Sequence, residues 1–187
     1  DAAARRELSH TIYDEAQRMT SLVNNILEMA RLDAGTVTLN AQWVPIEEIV
    51  GSVLKRLHEK LHGRPLQTEI AADLPLLSLD AVMIEQVLIN LFENAVKYTP
   101  AGSAIAITAG RERDEVVISV IDHGSGIPAG TEERLFEKFF RSERESAQSG
   151  VGLGLSICKA IVSAHGGRIW AENHGGGGAR FAFSLPI

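Results

Sequence analysis

Cysteine and large aromatics are scarce: the 187 residues hold one cysteine, two tryptophans and two tyrosines. The lone Cys158 can form no internal disulfide, which suits a reducing compartment and excludes a disulfide-stapled scaffold. Its setting, the apolar stretch LSICKAIV, reads as core filler and not as a nucleophile. No run of about 18 apolar residues exists, so no segment reads as a membrane span, and no secretory leader is recognisable. An excess of positive charge is missing as well. The formal net charge is −6, which argues against nucleic acid as the main partner, because phosphate backbones require a basic face. Gly-Lys-Ser and Gly-Lys-Thr are absent, which removes a P-loop. What remains, 45% hydrophobic and 22% charged residues, is the composition of a soluble globular chain. Its length allows one full domain and an appendage. The first residue is Asp1 and not Met, so a fragment of a longer protein is expected, with room for a membrane segment upstream.

Residues 3 to 33 read as one long helix. Ile12, Ala16, Met19, Val23, Ile26 and Ala30 form a heptad seam. Leu22, Leu27 and Met29 widen it toward a four-helix bundle. Such a stripe cannot be buried by one helix. It predicts partner helices from upstream, from a second copy, or both; the alternative is packing on the chain's own globular part. Gly35 ends the helix. TVTLN (36–40) then reads as a strand, VPIEEIVGSVLKRLHEKLHG (44–63) as a helix with Pro45 near its start, and PLQTEIA (65–71) as a strand. LLSLDAVMIEQVLINLFENAVKYTP (76–100) leads into a second buried helix, with Asp80 as its N-cap. SAIAITAGRER and EVVISVIDHG alternate like a hairpin. LSICKAIVSAHGG is a helix closed by His165 and Gly166, where the histidine reads as a cap and not a catalyst. GRIWAEN and ARFAFSLP form a last hairpin. Helices on one face of a mixed, mostly antiparallel sheet give an α+β class, a two-layer α/β sandwich preceded by one bundle helix.

The second buried helix is chemically odd. Asn90, Asn94 and Lys97 share one face, and Tyr98 follows. A plain core helix has no use for that row; a site holding a metal ion and phosphates does. A second patch is DHGSGIP (122–128). A carboxylate at a strand end can accept from an exocyclic amine, and Gly124 and Gly126 let backbone approach a flat ring. A third is GVGLGLSICKA (150–160), where Gly150, Gly152 and Gly154 run into a helix whose unpaired N–H groups suit phosphate. Its third glycine falls too early for a dinucleotide fingerprint, and an antiparallel return follows. Between the second and third patches, LFEKFFRSERES sets Lys138, Arg141 and Arg144 beside Phe136, Phe139 and Phe140: aromatics to anchor a lid, cations to reach phosphates.

Taken in order, NLFENAVKYTP, DHGSGIP, LFEKFFR and GVGLGLSICKAIV resemble the N, G1, F and G2 boxes of the catalytic ATP-binding domain of sensor histidine kinases. Those belong to the superfamily shared with gyrase, the Hsp90 chaperones and the MutL repair proteins. The resemblance covers residues 36 to 187, with a lid at about 127–150. Residues 1 to 35, ending ILEMARLDAG, resemble the second helix of the family's dimerisation and histidine-phosphotransfer hairpin. The wording is most similar to potassium-responsive Kdp-type sensor kinases. The resemblance implies ATP and Mg2+ as cofactors, with Asn94 as metal ligand and Asn90, Lys97 and Arg141 as catalytic residues. It implies that Tyr98, Asp122, Gly124, Gly126, Ile127 and Lys138 contact nucleotide, Asp122 taking the adenine amine, and that Gly150, Val151, Gly152, Leu153, Gly154 and Leu155 cradle phosphates. Magnesium prefers oxygen ligands, which an asparagine carbonyl and phosphates supply, and the chemistry implied is phosphoryl transfer by positioning and charge neutralisation. The implied partners are a phosphoacceptor hairpin of the same or a partner chain, a response-regulator receiver domain, and a second copy in a full-length homodimer. The implied location is the cytoplasmic part of a membrane-bound bacterial sensor.

Two departures stand out. The family's acceptor histidine is followed by an acid and then a proline, whereas His10 is followed by Thr11 and no proline comes. The acceptor is therefore expected upstream of Asp1. Near the final strand Ala179 takes a position where the family often has threonine. The rivals are an ATPase, a protein-serine kinase of the anti-sigma type, and a non-catalytic nucleotide-binding module. Hydrolysing relatives place a water-activating glutamate where this chain has Asn90, which cannot act as a general base, and Glu93 falls off the polar row.

Overall fold

The computed structural model describes residues 38–140 and 152–187, together with residues 5, 6, 8, 9, 11–13, 15, 16, 19, 20, 23, 26, 27 and 30. The chain divides into two units, residues 1–37 and 38–187. In the first, the described residues are helical and exposed, and Ile12, Met19, Val23 and Ile26 of the heptad stripe are about half exposed or more. Among the described residues no helix is long and apolar enough to cross a membrane.

Among its described residues the second unit has seven strands, β1 (Gln42–Val44), β2 (Leu66–Ile70), β3 (Leu77–Leu79), β4 (Ile105–Glu112), β5 (Glu115–Asp122), β6 (Arg168–Asn173) and β7 (Ala179–Pro186). Its helices are α1 (Ile46–Arg56), the single turn α2 (His58–Leu61), α3 (Ala81–Tyr98) and α4 (Gly154–Ala164), with a 3₁₀ turn at Arg134–Phe136. The main sheet has the order β2-β4-β5-β7-β6; only β2 and β4 run parallel. β1 and β3 form a separate antiparallel ribbon. Period-two alternation sorts the two sheet faces. Ile107, Val120 and Phe181 meet in one cross-strand row, and Ala109, Ile118 and Phe183 in the next, all buried. The helices cover this apolar face: α3 lies on β5, α4 on β6 and β7, and α1 on α3. The opposite face carries small residues, Thr108, Ser119, Ala182 and Ser184. Across it Arg180 donates to Ser119 Oγ at 3.1 Å and to Glu172 Oε1 at 2.8 Å.

Three local expectations change. Residues 38–40 of TVTLN are not a strand; the strand begins at Gln42, and the Asn40 N–H donates to Asp80 Oδ2 at 3.0 Å instead of entering a ladder. Leu77–Leu79, read as the approach to a helix, pairs with β1, its two leucines buried and Ser78 exposed. The helix from 44 to 63 is interrupted at Leu57, whose ψ of 7° breaks α1 from α2. Asp80 does cap α3, accepting from the Met83 N–H at 3.3 Å. His165 does close α4, with Gly166 at φ +74° after it. The imidazole goes further than a cap. Nδ1 donates to Ile161 O at 2.8 Å and Nε2 accepts from the Asp80 N–H at 3.0 Å, which ties the end of α4 to the start of α3.

Candidate active site

The polar row of α3 runs along an otherwise buried helix. Asn90 is 9% exposed. Its Nδ2 donates to Gly154 O at 3.3 Å, and its Oδ1 accepts from Gln86 Nε2 at 3.2 Å. The first two boxes of the helical half thus meet at one point, since Gly154 opens α4. A side chain at Gly154 would face the Asn90 amide at 3.8 Å. Asn94, one turn on, is half-buried, and among the described residues its carboxamide has no hydrogen-bond partner. The Lys97 ammonium lies 4.8 Å from the centre of the Tyr98 ring, a cation–π pair at the last turn. Glu93, the other acid nearby, pairs with Lys60 of α2, so it points away from this row.

The C-terminal end of α3 is held by a residue that no local pattern announces. Arg64, ahead of β2, donates from Nη2 to the carbonyls of Val96 (3.0 Å) and Thr99 (3.3 Å). From Nη1 it donates to Thr99 Oγ1 (2.6 Å) and Pro100 O (3.0 Å). The last carbonyls of a helix lack intrahelical partners and carry partial negative charge, so a guanidinium fork suits them twice over. The Thr99 hydroxyl in turn donates to Ala95 O at 2.6 Å.

Asp122 ends β5 on the helix-covered face and is 4% exposed. Its Oδ1 accepts from the Gly124 N–H at 2.8 Å and the Ala179 N–H at 3.3 Å. Burial pushes its carboxyl above the ordinary carboxylate range, while those two N–H groups and neighbouring His123 pull the other way. Ala179, where the family often has threonine, therefore contributes through its backbone. Gly124 is required by contact: a Cβ there would stand 2.5 Å from Tyr98 O. Gly126 has φ +72°, and a Cβ would stand 2.5 Å from Asn173 Oδ1. Ile127 is buried, and both of its backbone groups bond to the Asn173 amide.

Of the glycine-rich segment, Gly150 and Val151 lie outside the described residues, as do Arg141 and Arg144 of the lid and, in the first unit, His10. Gly152 has φ +75°, and its carbonyl accepts from the Phe139 N–H at 3.0 Å, which joins the F box to the start of α4. Leu153 is buried, so what it offers a ligand is backbone; Leu155 is half-buried. Phe136 is buried and Phe140 lies under the Arg134 guanidinium at 4.5 Å, but Phe139 is 64% exposed at φ +62°. Two of the three aromatics anchor this segment through their rings, and Phe139 only through its backbone. Lys138 is exposed.

The donor chemistry fits magnesium. Among the described residues no group of three or more His, Cys, Asp or Glu could hold a metal. An ion at Asn94 would have one hard oxygen from the protein and would take the rest from phosphate and water, the habit of Mg2+. Sequence reasoning brought Asn90, Asn94, Lys97, Tyr98, Asp122, Gly124, Gly126 and Gly154 forward. It missed Arg64, Asn173 and the side-chain bonds of His165.

Comparison with known proteins places the chain in a family. The family described as histidine kinase-, DNA gyrase B- and HSP90-like ATPase matches residues 79–187. The sensor protein KdpD of Escherichia coli (strain K12) is 47% identical over 167 residues, 89% of this chain and 19% of that protein. The adaptive-response sensory kinase SasA of Synechococcus elongatus is 38% identical over 184 residues, 95% of this chain and 48% of that protein. The chain thus spans about half or less of these relatives. Full-length ShkA in complex with AMPPNP superposes with a TM-score of 0.80 at 32% identity, over 90% of this chain and 35% of that one. Histidine kinase ThkA in complex with the response regulator TrrA gives 0.76 at 30% identity, over 94% and 49%. With the family match over more than half its length and the site's boxes assembled as described, the chain belongs to the histidine kinase-, DNA gyrase B- and HSP90-like ATPases.

Proposed function

We propose that this chain is the ATP-binding catalytic part of a two-component sensor histidine kinase of the potassium-responsive Kdp type. It passes the γ-phosphoryl group of ATP to a histidine upstream of Asp1, for onward transfer to a response-regulator aspartate. The observation that carries the reading is the meeting of three boxes: Asn90 of α3 bonds Gly154 of α4, while Tyr98 O abuts Gly124 beside Asp122.

The roles follow from the chemistry of each group. Asp122 spends Oδ1 on two backbone N–H groups, so Oδ2 is left to accept the adenine amine. Gly124, Gly126 and Ile127 shape the floor for the ring. Asn90 locks α3 to α4 and keeps the phosphate end in register. Asn94 holds Mg2+, which when bound neutralises phosphate charge. We assign phosphate contact to Lys97, Lys138 and Arg141 by their charge, and phosphate cradling to the N–H groups of Gly150, Val151, Gly152, Leu153, Gly154 and Leu155. Tyr98 packs beside the nucleotide. The exposed apolar stripe of the first unit supports packing against a phosphoacceptor hairpin and a homodimer in the full-length protein, on the cytoplasmic side of a membrane-bound bacterial sensor. Hydrolysis would need a base for water; the Asn90 carboxamide cannot take a proton, and Glu93 is tied to Lys60.

The test uses labelled ATP and Mg2+, with the chain mixed with a separately made acceptor hairpin of the parent protein. Acid-labile, base-stable label on the hairpin is expected, and none stable on the chain alone. Steady phosphate release without transfer would overturn the kinase reading in favour of an ATPase. Label retained on the chain and lost in His10→Gln would overturn the upstream acceptor.

A further inference from the structure

The β6–β7 hairpin takes no part in the four boxes, yet it supports the nucleotide loop at two points. Its register sets them up. Ile121 pairs with Arg180 and Asn173 pairs with Ala179. One residue beyond Arg180, Ala179 comes level with Asp122, so Asp122, Ala179 and Asn173 fall in one cross-strand row at the sheet's end. The first support is the Ala179 N–H on Asp122 Oδ1. The second is longer. Asn173 Oδ1 accepts from the Ile127 N–H at 2.7 Å, and Asn173 Nδ2 donates to the Ile127 carbonyl at 2.9 Å. One carboxamide thus satisfies both backbone groups of a loop residue, as a neighbouring strand would. Gly126 must be bare and at positive φ to let this happen, because any side chain would strike Asn173 Oδ1.

The hairpin is closed by hydrogen bonds where it does this. The His174 N–H donates to Gly178 O at 3.0 Å and the Gly177 N–H to His174 O at 2.9 Å. Gly178, at φ +92°, lies so close to Asp122 that a Cβ would be 2.0 Å from its carbonyl oxygen. Loop 122–127 is therefore clamped at its first residue by Ala179 and at its last by Asn173, both from one closed hairpin.

We infer that Asn173 is a positioning residue for the nucleotide base: by pairing with both backbone groups of Ile127 it fixes the loop that follows Asp122 at the spacing an adenine ring needs. It touches the loop and not the phosphates, so it governs the base end of the site alone. The inference rests on the assignment of Asp122 to adenine made above.

The experiment compares Asn173→Ala and Asn173→Asp in the 187-residue chain. Aspartate keeps the acceptor but sets a carboxylate oxygen against the Ile127 carbonyl, so it keeps size while losing the pairing. Three probes are titrated: ATP with Mg2+, adenosine, and tripolyphosphate with Mg2+. Expected are a weakening of ATP and adenosine by a common factor of about tenfold in both variants, from the loss of paired bonds, and tripolyphosphate unchanged. Amide exchange at Ile127 is expected to speed up, by local opening of the loop. Equal weakening of all three probes, or of none, overturns the inference; the first would mean a general structural role. If one variant fails to fold, the other carries the test. Asp122→Asn is run alongside. If it spares adenosine binding, the adenine assignment falls and this inference with it. If it removes adenosine binding while both Asn173 variants keep it, the inference alone falls.

Discussion

Removing the Arg64 guanidinium isolates what holds the end of α3. Four acceptors within 3.3 Å depend on it: the carbonyls of Val96, Thr99 and Pro100, and Thr99 Oγ1. Hydrogen bonds to a charged group contribute about 1.5–3 kcal/mol each when measured singly. These four share one half-buried side chain, water can replace some of them, and such contributions do not add. A net loss of about 2–3 kcal/mol for Arg64→Ala follows, including the lost charge at the helix's negative end. In a domain of this size that lowers the melting temperature by roughly 4–12 °C. Arg64→Lys keeps the charge but not the fork, and is expected to recover less than half of the loss. Tryptophan fluorescence is the assay, because both tryptophans, Trp43 and Trp170, lie in the second unit and report on it alone. Nucleotide affinity is expected to fall as well, since the clamped turn carries Lys97 and Tyr98, and Tyr98 O abuts Gly124. A shift of less than about 1 °C for Arg64→Ala would refute the estimate, which takes the clamp to outweigh water as a partner for those carbonyls.

Asp122→Asn is expected to stabilise the fold at neutral pH while removing ATP binding. The folded state raises the Asp122 pKa, so the protonated form favours folding; that favour is complete below the ordinary carboxylate value and is lost as pH rises through the raised one. Asparagine stays neutral, and its gain in melting temperature over the parent should vanish on acidification. A variant no more stable at pH 7 than the parent would contradict the burial argument. Its amide nitrogen, in place of the free Oδ2, would face an adenine amine donor to donor. Asn94→Ala should abolish the Mg2+-dependent part of ATP binding in titration calorimetry and leave the weak binding seen in EDTA; an unchanged isotherm would remove Asn94 as the metal ligand. Gly178→Ala adds a Cβ 2.0 Å from Asp122 O at φ +92°, and is expected to cost about 3 kcal/mol in denaturant unfolding.

The boxes were legible because each is a local pattern: a row at helical spacing, a carboxylate before glycines, glycines before a helix. The large sheet was legible from length and residue type, since β4, β5 and β7 are eight residues each and rich in apolar, mostly β-branched or aromatic side chains. What escaped was short or distant. β1 and β3 have three residues each, too few to show a period, so one was placed too early and the other was read only as the approach to a helix. Arg64 and Asn173 escaped for a different reason. Arg64 bonds backbone 32 to 39 residues away, and Asn173 bonds Ile127 across 46. A backbone carbonyl looks alike under every side chain, so bonds to it leave no residue type to read at the far end. Gly126 and Gly124 were the nearest visible traces. They were read as room for a ligand's flat ring, and contact geometry shows that they also make room for Asn173 and for the end of α3. A glycine in a binding loop thus signals close approach without saying by what, and here the same absence of a Cβ serves the fold on one side and, on the proposed reading, the nucleotide on the other.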